Sequence, residues 1–147
     1  MRILNMDNKR KVAVYCRVAR EDNEIIKEQE MTIRRFAEEN DYTNLSIYAD
    51  NGFNGSNFNR PAFKRLNEDI TAGLIETVIV KNLSRISRNQ FDGFNWVDNI
   101  RDKGVSLQSV LDDLEGLQII NNAFVQSFNE YLTKQKKRNH VIKKYKK

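Results

Sequence analysis

Five cationic side chains follow closely on apolar, β-branched runs: Arg17 in YCRVARED (15–22), Arg60 at the end of NGFNGSNFNR (51–60), and Lys81, Arg85 and Arg88 in KNLSRISRN (81–89). A guanidinium stays charged at any physiological pH and presents forked donors that match phosphate oxygens. Several converging on one edge would hold an anion and stabilise charge that grows on it, which makes phosphoryl transfer the natural chemistry. Taken singly, each arginine is more readily a surface residue or half of a structural ion pair, so their shared placement carries the reading.

That placement depends on the elements around them. Residues 11–19, KVAVYCRVA, form a nearly continuous apolar run, the pattern of a strand covered on both faces. LSIYAD (45–50), TVIVKN (77–82) and VSLQSVL (105–111) repeat it. Between them lie segments of helical period: Ile26, Ile33, Phe36 and Ala37; Phe63, Leu66 and Ile70 after Pro61 and before Gly73; Trp96, Val97 and Ile100 before Gly104. The alternation predicts an α/β fold, a mostly parallel four- to five-stranded sheet with helices on both faces. A last stripe, Leu117, Ile120, Phe124, Phe128 and Leu132, predicts a long C-terminal helix that either covers the sheet or forms a seam with a second copy. In an open parallel sheet ligands bind beyond the carboxyl ends of the strands. Arginines occupy three of those four ends, and Asp112 and Asp113, read as turn residues rather than a magnesium site, occupy the fourth.

The chain has 147 residues, the size of one compact domain, and a single cysteine, Cys16, read as a buried packing residue. A disulfide framework within the chain is thereby excluded, and with no bilayer-length apolar run or signal peptide the expected setting is cytoplasmic. The net charge of +5 is uneven: Lys134, Lys136, Lys137, Arg138 and four further lysines put eight positive charges and no acid in the last 14 residues, leaving 17 basic and 20 acidic groups elsewhere. Such a run can pair with nucleic-acid phosphates and gain from counterion release, or be a solvated tail.

Taken in order, YCRVA, DNGFNGSNFNRPAF and VIVKNLSRISRN resemble the catalytic domain of the serine site-specific recombinases, the resolvase/invertase family with its large transposon-borne members; the likeness spans roughly residues 10–138. The resemblance implies DNA cleavage by a serine hydroxyl, which forms a phosphoserine link that preserves the bond for rejoining, with arginines and no metal or cofactor stabilising the five-coordinate phosphorus. By position, Arg17 matches the arginine two residues before the nucleophile, Arg60 that of the mobile loop, and Arg85 and Arg88 the pair after the third strand. Gln29 and Asp50 match polar residues that arrange the site, Lys81 is a weaker match, and Glu130 aligns loosely with a carboxylate on the dimer helix. The implied layout is an N-terminal extension (1–10), a catalytic domain (11–115), a dimerisation helix (116–140) and a basic tail (141–147). Lys134, Lys136, Lys137 and Arg138 would contact DNA. The implied partners are DNA and further copies of the chain, as a homodimer or a tetramer on DNA, with no membrane and no small-molecule cofactor.

The sequence departs from the pattern at the nucleophile, where Ala19 stands in place of serine. A methyl group has no lone pair, and removing a serine nucleophile costs on the order of a millionfold in turnover, so strand cleavage is expected to be lost. Cys16, Ser84 and Ser87 are poor substitutes, because in-line attack tolerates little misplacement. The expected function is a recombinase catalytic domain that binds and positions a scissile phosphate; the alternative is a non-enzymatic regulator that binds DNA or active recombinases. An unrelated enzyme acting on a small phosphorylated ligand is disfavoured, since neither GxGxxG nor GxxxxGK follows the first strand. No CxxC pair or helix-turn-helix supplies a sequence reader, so the chain is expected to be the front of a longer protein or a relative that lost one. If the Asn-rich loop were a surface excursion, Arg60 would be loose until DNA arrived; if Arg60 were locked in an internal ion pair, its role would weaken.

Overall fold

The computed structural model describes the backbone of residues 10–145 and the side chains of 10–138; the expected extension and the end of the basic tail, with His140, lie largely outside the described side chains. Two compact units divide after Asp112.

The first unit is an α/β sandwich. Strands β1 (Lys11–Val18), β2 (Leu45–Asn51), β3 (Ile75–Val80) and β4 (Ser106–Ser109) alternate with helices α1 (Asn23–Glu39), α2 (Pro61–Thr71) and α3 (Gln90–Asp102). All strand pairs are parallel, in the order β2-β1-β3-β4, so the sheet has four strands. Because successive side chains of a strand point to opposite faces, the even positions of β1, Val12, Val14 and Cys16, pack with Ile33 and Ala37 of α1 and with Ile79. The odd positions serve the other face. There Tyr15 meets the edge of Phe63 from α2 at 5.4 Å, and Phe63 meets Trp96 from α3 at 5.2 Å.

Helix ends follow local chemistry. Asp22 accepts from the amides of Glu24 and Ile25 at the start of α1, Asn89 does the same for α3, and Pro61 occupies the first turn of α2. Gly73 and Gly104 follow α2 and α3 at φ +78°, a left-handed conformation that glycine adopts without strain. β3 begins and ends two residues earlier than the apolar run predicts, because Ile75 pairs with Lys11 and the chain turns after Val80 into a short 3-10 turn, Leu83–Arg85.

The second unit is one helix, α4 (Leu114–Tyr145), opened by the Asp113 carboxylate accepting from the Gly116 amide at 3.1 Å. Ile120, Phe124, Phe128 and Leu132 are exposed along it, and Phe124 stacks on Phe128. Among the described residues no helix is long and apolar enough to cross a membrane.

Candidate phosphate site

In the order β2-β1-β3-β4 the connection from β1 leads to one side and that from β3 to the other, so the carboxyl ends of β1 and β3 flank the switch point where α/β sheets hold their ligands. Arg17 is the penultimate residue of β1, and Arg85 ends the turn after β3.

The two arginines bind each other's main chain. Arg17 Nε donates to the Arg85 carbonyl at 3.0 Å, and Arg85 Nη1 donates to the Arg17 carbonyl at 3.1 Å. Arg17 also donates through Nη1 to Phe53 O at 3.0 Å and through Nη2 to Ser84 O at 2.7 Å. Arg60, at the start of α2, donates through Nη1 to Arg85 O at 2.8 Å and to the Tyr15 hydroxyl at 2.9 Å, through Nε to Asn57 O at 3.1 Å, and through Nη2 to Ile86 O. Its guanidinium carbon lies 4.4 Å from the centre of the Phe63 ring. The carbonyls of Ser84, Arg85 and Ile86, orphaned at the end of a short helical turn, are thus all satisfied by arginine.

Polar side chains brace this cluster. Gln29 of α1 is fully buried and makes a reciprocal pair with the main chain of Arg17: its Oε1 accepts from Arg17 N at 3.1 Å, and its Nε2 donates to Arg17 O at 2.9 Å. Asp50, in register with Arg17 on β2, accepts from the Ala62 and Phe63 amides at the start of α2 and from the Tyr15 hydroxyl at 2.7 Å. Burial and the hydrogen bond to Asp50 push the Tyr15 phenol well above its ordinary pKa, so it stays a neutral bridge between Asp50 and Arg60.

Positive charge dominates. Among the described residues the ion pairs are Glu30–Arg34, Glu28–Lys81 and Asp98–Arg101, and none includes Arg17, Arg60, Arg85 or Arg88. Arg17 and Arg60 are 3% and 1% exposed. Burial, then the neighbouring Arg60, lower the pKa of Arg17, with Arg85 and Arg88 adding to the effect. Arg85 Nε is buried without a hydrogen-bond partner. Three guanidiniums are thus held beside one another by neutral acceptors, with no carboxylate paired to them among the described residues.

Arg60 is therefore neither loose nor ion-paired. Ala19 is exposed at the first position beyond β1, and the Val18 carbonyl before it accepts from the amides of Gly52 and Phe53. Arg88 is exposed, with its amide donating to Gly55 O at 3.1 Å. Lys81 leans to Glu28 of α1 at 3.2 Å, away from the cluster's hydrogen bonds. Asp112 takes a turn role, accepting from Leu83 N at 2.6 Å and from the Ser109 hydroxyl. Cys16 is fully buried, and desolvation, then Glu30, push its thiol up to about 12, which leaves no thiolate for attack at neutral pH. Lys134, Lys136, Lys137, Arg138 and Glu130 are exposed on α4.

Sequence reasoning missed Tyr15 and Asn51. Tyr15 shares the strand alternation of Arg17, a signal that was present in the spacing. Asn51 accepts from Asp22 N at 2.8 Å and donates to Asn23 Oδ1, tying the loop that holds position 19 to the end of β2.

Comparisons with known proteins point to one family. The family model "Resolvase, N terminal domain" matches residues 12–144. The chain is 30% identical over 100 residues to a resolvase of Clostridium perfringens (strain 13 / Type A). It is 32% identical over 97 residues to a Bacillus subtilis (strain 168) protein provisionally named a DNA recombinase. These alignments take in 67% and 65% of this chain but only 48% and 19% of those relatives, so the chain spans less than half their length. Among solved structures, the N-terminal catalytic domain of TP901-1 integrase superposes with a TM-score of 0.69 at 28% identity, covering 84% of this chain and 99% of that one. A resolvase family site-specific recombinase from Streptococcus pneumoniae gives 0.65 at 28% identity, covering 92% and 98%. With its sheet order, its arginines at the β1/β3 switch point and the family match running through both units, the chain belongs to the resolvase N-terminal domain family, the catalytic domains of serine recombinases.

Proposed function

We propose that this chain binds the DNA backbone through Arg17, Arg60, Arg85 and Arg88, positions a phosphodiester beside residue 19, and cannot cut it because Ala19 carries no hydroxyl. The observation that carries the reading is the cluster of buried guanidiniums at the β1/β3 switch point with no carboxylate paired to them.

The chemistry follows from the residues. A serine oxygen at position 19 would attack phosphorus and displace a deoxyribose oxygen, exchanging one phosphate ester for another without net loss of bond energy. Arginine donors would stabilise the charge that develops on the equatorial oxygens. Gln29 and Asp50 are positioning residues: one fixes the main chain of Arg17, the other the start of α2 and, through Tyr15, Arg60. Ser→Ala deletes one oxygen and leaves the backbone free to keep its course, so the arginine site survives the loss.

The exposed apolar stripe of α4, with Phe124 stacked on Phe128, supports self-association, first as a dimer and on DNA as a tetramer, because a contiguous apolar patch of this kind is a feature of interaction surfaces. Lys134, Lys136, Lys137 and Arg138 add sequence-independent contacts to phosphates.

Fluorescence anisotropy with a labelled 20-base-pair duplex at low salt tests the binding claim. Arg88→Ala, which removes an exposed cation without a described side-chain hydrogen bond, is expected to weaken binding several-fold; unchanged binding would remove the cluster from the DNA interface.

A further inference from the structure

The segment joining β2 to α2 turns its backbone toward the arginines. Two of its carbonyls take guanidinium donors, Phe53 O from Arg17 Nη1 at 3.0 Å and Asn57 O from Arg60 Nε at 3.1 Å, and between them Gly55 O takes the main-chain amide of Arg88 at 3.1 Å. Residues 54 and 56 between them are exposed, as are Asn57, Phe58 and Asn59. Gly55 is buried, and a Cβ added there would stand 2.6 Å from Arg17 Nη2, 2.8 Å from Arg17 Cζ and 2.9 Å from Arg88 Cγ. Its lack of a side chain lets the backbone lie directly on the guanidinium.

We propose that residues 53–57 form an internal plug whose carbonyl oxygens stand in for phosphate oxygens, and that a DNA strand must displace this segment to reach the arginines. The inference rests on reading the cluster as a DNA-backbone site.

Burial supports it. A phosphodiester cannot reach Arg17 Nη1 or Arg60 Nε while Phe53 O and Asn57 O hold them and both side chains are buried; lifting the segment frees those two donors and leaves the bonds to Ser84, Arg85 and Ile86 in place. A guanidinium without DNA still needs acceptors, and loop carbonyls supply them. Phosphate oxygens are charged acceptors that a guanidinium can hold through two parallel bonds, which a single neutral carbonyl cannot match, so the exchange favours DNA once the segment lifts. The moving part is bounded: Gly52, at φ +89°, marks one end, and the amides of Ala62 and Phe63, held by Asp50, mark the other. The unpartnered Arg85 Nε is a buried donor that the plug leaves unfilled.

If only a fraction of molecules is open, the apparent Kd rises by the inverse of that fraction, and loosening the plug tightens binding. The test measures duplex affinity by anisotropy for the unsubstituted chain, Gly55→Ala, Arg88→Ala and the double variant. The plug predicts that Gly55→Ala binds roughly three- to tenfold more tightly, with the gain lost in the double variant. Unchanged or weaker binding by a folded Gly55→Ala, alongside weakened binding by Arg88→Ala, would overturn the plug and keep the DNA site; no effect of Arg88→Ala would instead overturn the DNA site.

Hydrogen exchange on the unsubstituted chain gives a second readout that needs no variant. Saturating duplex should speed exchange at the Arg88 amide, whose acceptor is Gly55 O, and at the Phe53 amide, whose acceptor is Val18 O. Unchanged or slower exchange at both would contradict the plug.

Discussion

Arg17 and Arg85 each donate to the other's carbonyl, at 3.0 and 3.1 Å, so the end of β1 and the turn after β3 are joined by the same side chains that supply the site's charge. Structure and binding are inseparable at these two positions, and they separate at Arg88.

Arg17→Ala should therefore destabilise the fold by about 2–4 kcal/mol, because the carbonyls of Phe53 and Ser84 lose a buried donor. Arg88→Ala should stay within about 0.5 kcal/mol of the unsubstituted chain. Urea denaturation of both variants checks the contrast; equal effects would mean that the hydrogen bonds of Arg17 contribute little.

Tyr15→Phe removes the hydroxyl that accepts from Arg60 and donates to Asp50. The expected cost is about 1–2 kcal/mol, a drop in Tm of roughly 3–6 °C, measured by thermal unfolding. An unchanged Tm would make the bridge dispensable.

How much of this was legible beforehand follows from which atoms do the work. Apolar runs and helical stripes predicted all four strands and four helices, since periodic burial leaves its mark on side-chain type. The boundaries of β3 were missed because strand pairing, not composition, sets them. Arg17, Arg60 and Arg85 were legible as a group from their places after strands. What they touch was not: their acceptors are mostly main-chain carbonyls of residues 53, 57 and 84–86, which any sequence possesses. Gly55 likewise reads as one more loop glycine until the guanidinium is seen against it.

Cys16 gives a pH signature. Its folded pKa, about 12, lies above its ordinary value of 9.0, so the folded state holds the proton more tightly. The associated stability is fully present below pH 9 and falls as pH rises toward 12. Urea midpoints should decline from pH 9 upward and more steeply above 10, where Tyr15 and Tyr48, both raised from 10.0, join in. Cys16→Ala should flatten the first part of the decline; the same slope in that variant would assign it elsewhere.

Replacing Lys134, Lys136, Lys137 and Arg138 together by alanine should lower the slope of log Kobs against log salt by roughly 2–4, near 0.9 for each phosphate no longer neutralised. A salt titration of duplex binding measures it, and an unchanged slope would leave these α4 cations outside the interface.

The most direct test sets the chain beside its Ala19→Ser variant on supercoiled DNA carrying the cognate site, and scores protein-linked DNA after denaturation. The account predicts no linkage with alanine and phosphoester-linked DNA once the hydroxyl is introduced. Linked DNA from the alanine chain, or none from either, would contradict it.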